Sequence, residues 1–174
     1  MVLADYYDGP YKLFLSLHIV CAVVGFGAVA LNGIYAQKIK ARLQSGRVAE
    51  ALAVHESNFF VSMIGEYFIY AVFILGFVVL ALSDSVWELS QSWLWLSIVL
   101  YVVAIGLSHA VMIPGAKRLG ALMREMVDGP PPAGGPPPQV AEMQSIGQRM
   151  GTVGPILDLI LVVIIFLMVY KPGT

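Results

Sequence analysis

Three ionisable residues, Glu66, His109 and Asp158, each lie inside a long apolar stretch of this chain. Such residues are rare in apolar helices, because an ionised side chain in hydrocarbon costs at least about 2.5 kcal/mol. Two carboxylates and one imidazole can share or transfer protons, and they can also bind a metal ion. Asn32 adds a polar side chain in another apolar stretch. These residues are therefore the first candidates for a functional site.

The apolar stretches that carry these residues are long enough to cross a bilayer. A helix rises about 1.5 Å per residue, so about 20 residues span the roughly 30 Å of hydrocarbon. The predicted spans are about 13–35, 59–82, 93–113 and 153–170. The chain is 59% apolar and 12% charged, with a mean hydropathy of +0.81, which is unlike a soluble domain. The sequence predicts an all-helical fold: one integral membrane domain formed by a four-helix bundle.

The basic residues predict how the chain is oriented. Eight of the ten lie between spans one and two or between spans three and four, and only Lys12 and Lys171 lie on the other side. By the positive-inside rule, both long loops face the cytoplasm and both termini lie outside, as in a multi-pass protein of a bacterial cytoplasmic membrane. The bilayer is the expected partner. A net charge of -1 with no basic patch argues against nucleic acid.

The candidate residues are expected at similar depths in the cytoplasmic half of the bilayer. From the ends of the predicted spans, Glu66 lies about 10 Å deep, His109 about 6 to 9 Å and Asp158 about 8 Å. Asn32 lies slightly shallower, and Tyr70 lies one turn beyond Glu66. Because none of the three ionisable side chains is stable facing lipid alone, we expect Glu66, His109 and Asp158 to face one another or water.

This polar layer has three interpretations. The first is a structural core of unknown specific activity, in which hydrogen bonds fix the helix register, one carboxyl is protonated and His109 is shared. The second is a proton relay or ion pathway, as in a small proton-coupled transporter, in which burial and a neighbouring carboxylate make Glu66 or Asp158 titrate near neutrality. The third is a metal site, but the ligands come from three helices without a short spacing motif, so none is assigned. No soluble-enzyme motif identifies a catalytic residue.

His18 lies in the outer half of the membrane, about 15 Å along the axis from His109, so the two cannot ligate one haem iron. One interpretation is a helix-packing histidine bonded to Ser97, Tyr101 or a backbone carbonyl. The other is a haem ligand, with Met168 as the second ligand or with an open coordination position.

Small and polar residues form a stripe along span one and another along span four. The stripes consist of His18, Cys21, Gly25, Ala28 and Asn32, and of Gly147, Gly151, Gly154 and Asp158. Such residues let helices approach closely, so we expect the first stripe to face protein. Four helices enclose little room, and either stripe is a candidate contact in a homodimer.

Neither cytoplasmic connection is expected to form a separate domain. Gly46 predicts a turn, and amphipathic helical extensions are predicted from Val48 into span two, over residues 114–127 and from residue 139 into span four. The segment GPPPAGGPPP, residues 129–138, predicts an extended hinge, since proline cannot sustain helix or sheet hydrogen bonding. It is interpreted as a spacer, with a proline-rich ligand for a partner as the alternative.

Several segments resemble a family of bacterial predicted integral membrane proteins known only as a domain of unknown function. They are LHIVCAVVGFG (Leu17 to Gly27), GEYFIYAVFILG (Gly65 to Gly76), WLWLSIVLYVVAIGLSHAVMIP (Trp93 to Pro114) and GPPPQVAEM (Gly135 to Met143). The resemblance covers nearly the whole chain.

The Leu17–His18 pair and the glycine-rich helix after it also resemble, more distantly, the copper-resistance D family and the HemJ-type protoporphyrinogen oxidases. This second resemblance implies haem b bound by His18 and a membrane oxidoreductase. The chain departs from both patterns, because span three has no lysine to act as a second ligand and no methionine and histidine cluster suits copper.

Overall fold

The computed structural model describes residues 9–84, 86–129 and 138–173, and within them all regular secondary structure is helical. The helices are α1 (Pro10–Ala30), α2 (Asn32–Gln44), α3 (Val48–Ala81), α4 (Ser92–Leu107), a π-helical segment (Ser108–Met112), α5 (Ile113–Asp128) and α6 (Pro138–Tyr170). The predicted hinge at 129–138 lies almost wholly outside the described residues.

The helices form four long rods, each apolar enough to cross a membrane. In the described part of the chain they run over Pro10–Gln44, Val48–Ala81, Ser92–Asp128 and Pro138–Tyr170, with lengths of 35, 34, 37 and 33 residues. At about 1.5 Å per residue each rod is roughly 50 to 55 Å long, about 20 Å more than the hydrocarbon thickness. The predicted all-helical fold with four spans is confirmed, and the extra length lies on the side of the basic loops.

The turn between α2 and α3 is the one that Gly46 predicts. Gly46 has φ 75°, in the left-handed region that glycine adopts without steric cost. Its N–H donates to the Leu43 carbonyl at 3.1 Å, and the Arg47 N–H donates to the Arg42 carbonyl at 2.9 Å. This pair of bonds is a Schellman motif, which satisfies the last carbonyls of α2 and reverses the chain.

In the apolar half of the molecule, α1 packs on α3 and α4 packs on α6. The first pair is very close: a Cβ atom at Gly65 would lie 2.6 Å from the Cβ of Ala28, and one at Gly25 would lie 3.1 Å from the Gly65 carbonyl oxygen. The stripe on span one therefore faces protein at Gly25, as predicted. The two pairs meet in a cluster around Val72, Tyr101 and Ile164.

On the side of the basic loops, the helical extensions pack into a small bundle of their own. Its buried centre consists of Ala51 on α3, Leu122 and Met123 on α5 and Met143 on α6, and α2 packs against it. His55 on α3 joins this bundle to α5, because its Nε2 donates to the Ala116 carbonyl at 2.9 Å. The described parts of the loops are thus helical continuations of the spans.

Candidate proton site between the second and third spans

A chain of three titratable side chains connects α3 to the π-helical segment. The hydroxyl of Tyr70 lies 2.6 Å from Oε1 of Glu66 and 2.9 Å from Nε2 of His109. The carboxylate and the imidazole are themselves 3.6 Å apart. The hydroxyl therefore bridges an acid and a base that lie on different spans.

Local helix geometry positions each member of this chain. Glu66 and Tyr70 are four residues apart on α3, so their side chains share one face. His109 lies on the π-helical segment, whose wide turns are rare and occur frequently at functional sites. Its Nδ1 lies 3.0 Å from the Ile105 carbonyl oxygen, which fixes the orientation of the ring.

The chain runs from the interior of the protein to its surface. Glu66 is only 8% exposed, whereas the side chain of His109 is 50% exposed. A proton that passes along the three groups would therefore move between a carboxyl buried among the helices and an imidazole at the outer face of the bundle.

The same atomic positions accommodate two arrangements of the protons. Nδ1 of His109 must carry a hydrogen in order to donate to the Ile105 carbonyl. In one arrangement Glu66 is ionised, Tyr70 donates to it, and Nε2 of an imidazolium donates to Tyr70. In the other, a protonated Glu66 donates to Tyr70, which donates to Nε2 of a neutral imidazole. The number of protons and the net charge are equal in both, so the site can shift a proton without a change in charge.

The structure brings together two of the four residues that the sequence singled out in this layer. Glu66 and His109 meet, whereas Asn32 lies elsewhere and accepts a hydrogen bond from the Ser62 hydroxyl at 2.9 Å. That bond joins spans one and two. Asp158 is exposed on α6 and makes no hydrogen bond or ion pair with the described residues. The expectation that Asp158 faces the other two side chains is not met within one chain.

Tyr70 is the member that the sequence prediction omitted. Its spacing of four residues from Glu66 is a usable signal, since a hydroxyl one turn from a carboxylate is within hydrogen-bonding reach. Sequence alone does not show that His109 on another helix approaches the same hydroxyl.

His18 packs on α3 and not on α4. Its Cε1 would lie 3.3 Å from a Cβ atom at Gly76, and its Nδ1 is buried with no hydrogen-bond partner in the described structure. Of the three predicted partners of His18, Ser97 and Tyr101 are wrong, because both hydroxyls donate to backbone carbonyls, of Trp93 and Ile69 respectively. The third, a backbone carbonyl, agrees with the interaction of the imidazole with the Val72 backbone. These polar groups stabilise α4 and its contact with α3.

No group of three histidine, cysteine, aspartate or glutamate side chains in the described ranges is arranged to hold a metal ion. No curated protein and no solved structure matches the chain. One family model does match, over residues 12–172, and its description is "Predicted integral membrane protein (DUF2269)". The match includes all three members of the proton site and the four rods except Pro10 and Tyr11, so the chain belongs to the DUF2269 family of predicted integral membrane proteins.

Proposed function

We propose that this protein transfers protons within the membrane, as a small proton-coupled transporter or channel. The observation that supports the proposal is the Glu66–Tyr70–His109 chain, with its short contacts of 2.6 and 2.9 Å and its path from a buried acid on one span to a base on the next. Three titratable groups in series, with two proton arrangements of the same net charge, can pass a proton along their hydrogen bonds.

Each residue has a distinct role in this proposal. Glu66 is the buried end of the chain and gives its proton to the Tyr70 hydroxyl. The Tyr70 hydroxyl gives its own proton to His109 as it receives the proton of Glu66, so it is neutral before and after the transfer. His109 receives the proton on Nε2, while the bond from its Nδ1 to the Ile105 carbonyl keeps the ring in position.

The decisive experiment removes one hydroxyl. In proteoliposomes with a potassium diffusion potential and an internal pH dye, we expect Tyr70→Phe to abolish most of the proton flux of the wild type. Tyr67→Phe is the matched control, because Tyr67 is 68% exposed on the same helix. Melting temperatures are measured in parallel. If Tyr70→Phe lowers the melting temperature but leaves the flux unchanged, the polar layer is only structural and the relay is refuted.

We also propose that two copies associate through α6. The stripe on span one is occupied within the chain at Gly25, whereas Cβ atoms at Gly147, Gly151 and Gly154 would meet nothing within 4 Å. Asp158 continues this open face into the apolar span, where association would remove its carboxyl from lipid. In bilayers, single-molecule photobleaching should show two-step traces that Gly151→Leu reduces. Gly27→Leu, at an equally open site on α1, should leave them unchanged, and equal effects would contradict the α6 interface.

A second candidate function is an oxidoreductase that binds haem b at His18. The observation in its favour is the buried Nδ1, which makes no hydrogen bond of regular geometry and interacts only with the Val72 backbone among the described residues, so an iron bond could replace that interaction. Haem would supply one-electron chemistry, and His18 would hold the iron. Binding would require α1 and α3 to separate near Gly76, because the imidazole packs directly on that residue. A visible spectrum with a Soret band that His18→Ala removes would support this function, and the absence of the band in protein supplied with haem would refute it.

We further propose that the basic loops face the cytoplasm of a bacterial inner membrane. Single cysteines introduced at Lys40 and at Ser90 should show opposite accessibility to an impermeant thiol reagent in intact cells. We expect the reagent to label the Ser90 position and not the Lys40 position. Labelling of the Lys40 position alone would contradict the proposed orientation.

A further inference from the structure

A crevice of about 310 Å³ lies between α6 and the rod formed by the π-helical segment and α5. Its apolar walls include Val111, Ile146 and Met150, and its polar rim includes Arg118, Glu142 and Arg149. It is separate from the proton site, whose three members do not line it. The combination of an apolar wall and guanidinium groups suggests an amphiphilic ligand.

The charges on the rim are not balanced. Arg118 forms a bidentate pair with Glu142, with contacts of 2.7 and 2.9 Å, and a longer contact of 3.4 Å with Glu125 outside the crevice. Arg149 is exposed and has no hydrogen bond or ion pair among the residues that the structure describes. The three rim residues therefore sum to one positive charge, and Arg149 is the group available to an anion.

The level of the crevice in the membrane indicates the kind of anion. Val111 lies within the predicted third span, which ends near residue 113, and Met150 lies just before the fourth, which begins near residue 153. The crevice therefore extends from the ends of the apolar spans to the basic side, where phospholipid headgroups lie. Arginine is suited to phosphate because its donors match two phosphate oxygens at once.

We infer that this crevice binds one anionic phospholipid from the leaflet on the basic side. Arg149 contacts the phosphate, and Arg118, held in place by Glu142, contributes to the positive rim. The first part of an acyl chain lies against Ile146 and Met150. Basic pockets between transmembrane helices at the level of the headgroups bind anionic lipid headgroups in other membrane proteins. A headgroup with its own ammonium would lose the attraction of the net positive rim.

The test compares lipids and anions on the purified full chain. Native mass spectrometry or thermal shift in detergent is used to titrate short-chain phosphatidylglycerol, phosphatidylcholine and inorganic phosphate. We expect phosphatidylglycerol to bind most tightly and Arg149→Gln to weaken it about fivefold, the factor that one basic residue near a membrane contributes. Lys40→Gln removes the same charge from the exposed end of α2 and should leave the affinity unchanged.

Three results would overturn the inference. If Arg149→Gln and Lys40→Gln weaken binding equally, the effect is general surface charge and not a site. If inorganic phosphate protects the protein as well as phosphatidylglycerol does, the crevice binds a small anion and the lipid is not required. If phosphatidylcholine binds equally well, the rim does not select for net negative charge. A folded Arg149→Gln protein is verified by its wild-type melting temperature without lipid.

Discussion

Gly65→Ala should weaken the contact between α1 and α3 because the added methyl group has no room. The new Cβ would lie 2.6 Å from the Cβ of Ala28 and 3.3 Å from the Gly25 carbonyl oxygen. Two methyl carbons are normally about 3.5 to 4.0 Å apart, so the helices must separate by about 1 Å. The same glycine contact lies between His18 and the Asn32–Ser62 bond, and it helps to set the position of α3.

The expected cost follows from two opposed effects. Forcing a methyl group into a close-packed contact costs about 1 to 3 kcal/mol. Alanine in place of glycine returns up to about 1 kcal/mol through helix propensity. The net loss in the free energy of unfolding should therefore be about 0 to 2 kcal/mol. Gly27→Ala is the control, because nothing lies within 4 Å of its new Cβ and it should be neutral or slightly stabilising.

A double-mutant cycle isolates the steric contribution. Ala28→Gly removes the atom that Gly65→Ala meets, so the double variant should recover most of the stability that the two single changes would lose together. Unfolding in mixed micelles, followed by tryptophan fluorescence, measures all four free energies. If Gly65→Ala costs no more than Gly27→Ala, or if the coupling energy is zero, the close approach of α1 and α3 is refuted.

Three further predictions concern other contacts. Arg118 hydrogen-bonds Glu142, outside the membrane spans, and lowers the pKa of that carboxyl. The pairing should therefore stabilise the protein fully at neutral pH and be lost as pH falls below the ordinary glutamate range, so the melting-temperature difference between wild type and Glu142→Gln should shrink in acid. Gly46→Ala should cost about 1 to 2 kcal/mol in unfolding experiments, since a left-handed residue with φ 75° acquires a Cβ. Tyr101→Phe should cost about 1 to 3 kcal/mol, since the Ile69 carbonyl loses its bond to the hydroxyl, and a loss near zero in thermal melts would contradict this contact.

The fold was largely predictable because it depends on local turn residues and on the match between apolar helix length and bilayer thickness. The length of each apolar run predicts the spans, and Gly46 alone predicts the reversal between α2 and α3. The π-helical segment was not predictable, because nothing in the composition of Ser108–Met112 distinguishes it from an ordinary helical turn. The close packing of spans one and two was predictable only as a tendency of the glycine stripe.

The site was predictable only in part. The cost of exposing a charge to lipid shows that Glu66 and His109 need polar partners, but it does not show which residues those partners are. Glu66 and His109 were expected to meet and do. Asp158 was expected to join them for the same physical reason, but depth along a span does not fix rotation about its axis. The partner of an exposed Asp158 cannot be read from a single chain if it lies on a second copy, as we propose.

The bond between His55 and Ala116 has a consequence for the buried acid farther along α3. Eleven residues separate His55 from Glu66, which is about three full turns, so both side chains leave α3 at nearly the same angle. Because α3 is uninterrupted between them, the hydrogen bond of His55 outside the hydrocarbon fixes the rotation of α3 about its axis. It thereby fixes the direction in which Glu66 points inside the hydrocarbon. A rotation of α3 in the loop-side bundle would therefore turn Glu66 and Tyr70 together, toward or away from His109 on the neighbouring span.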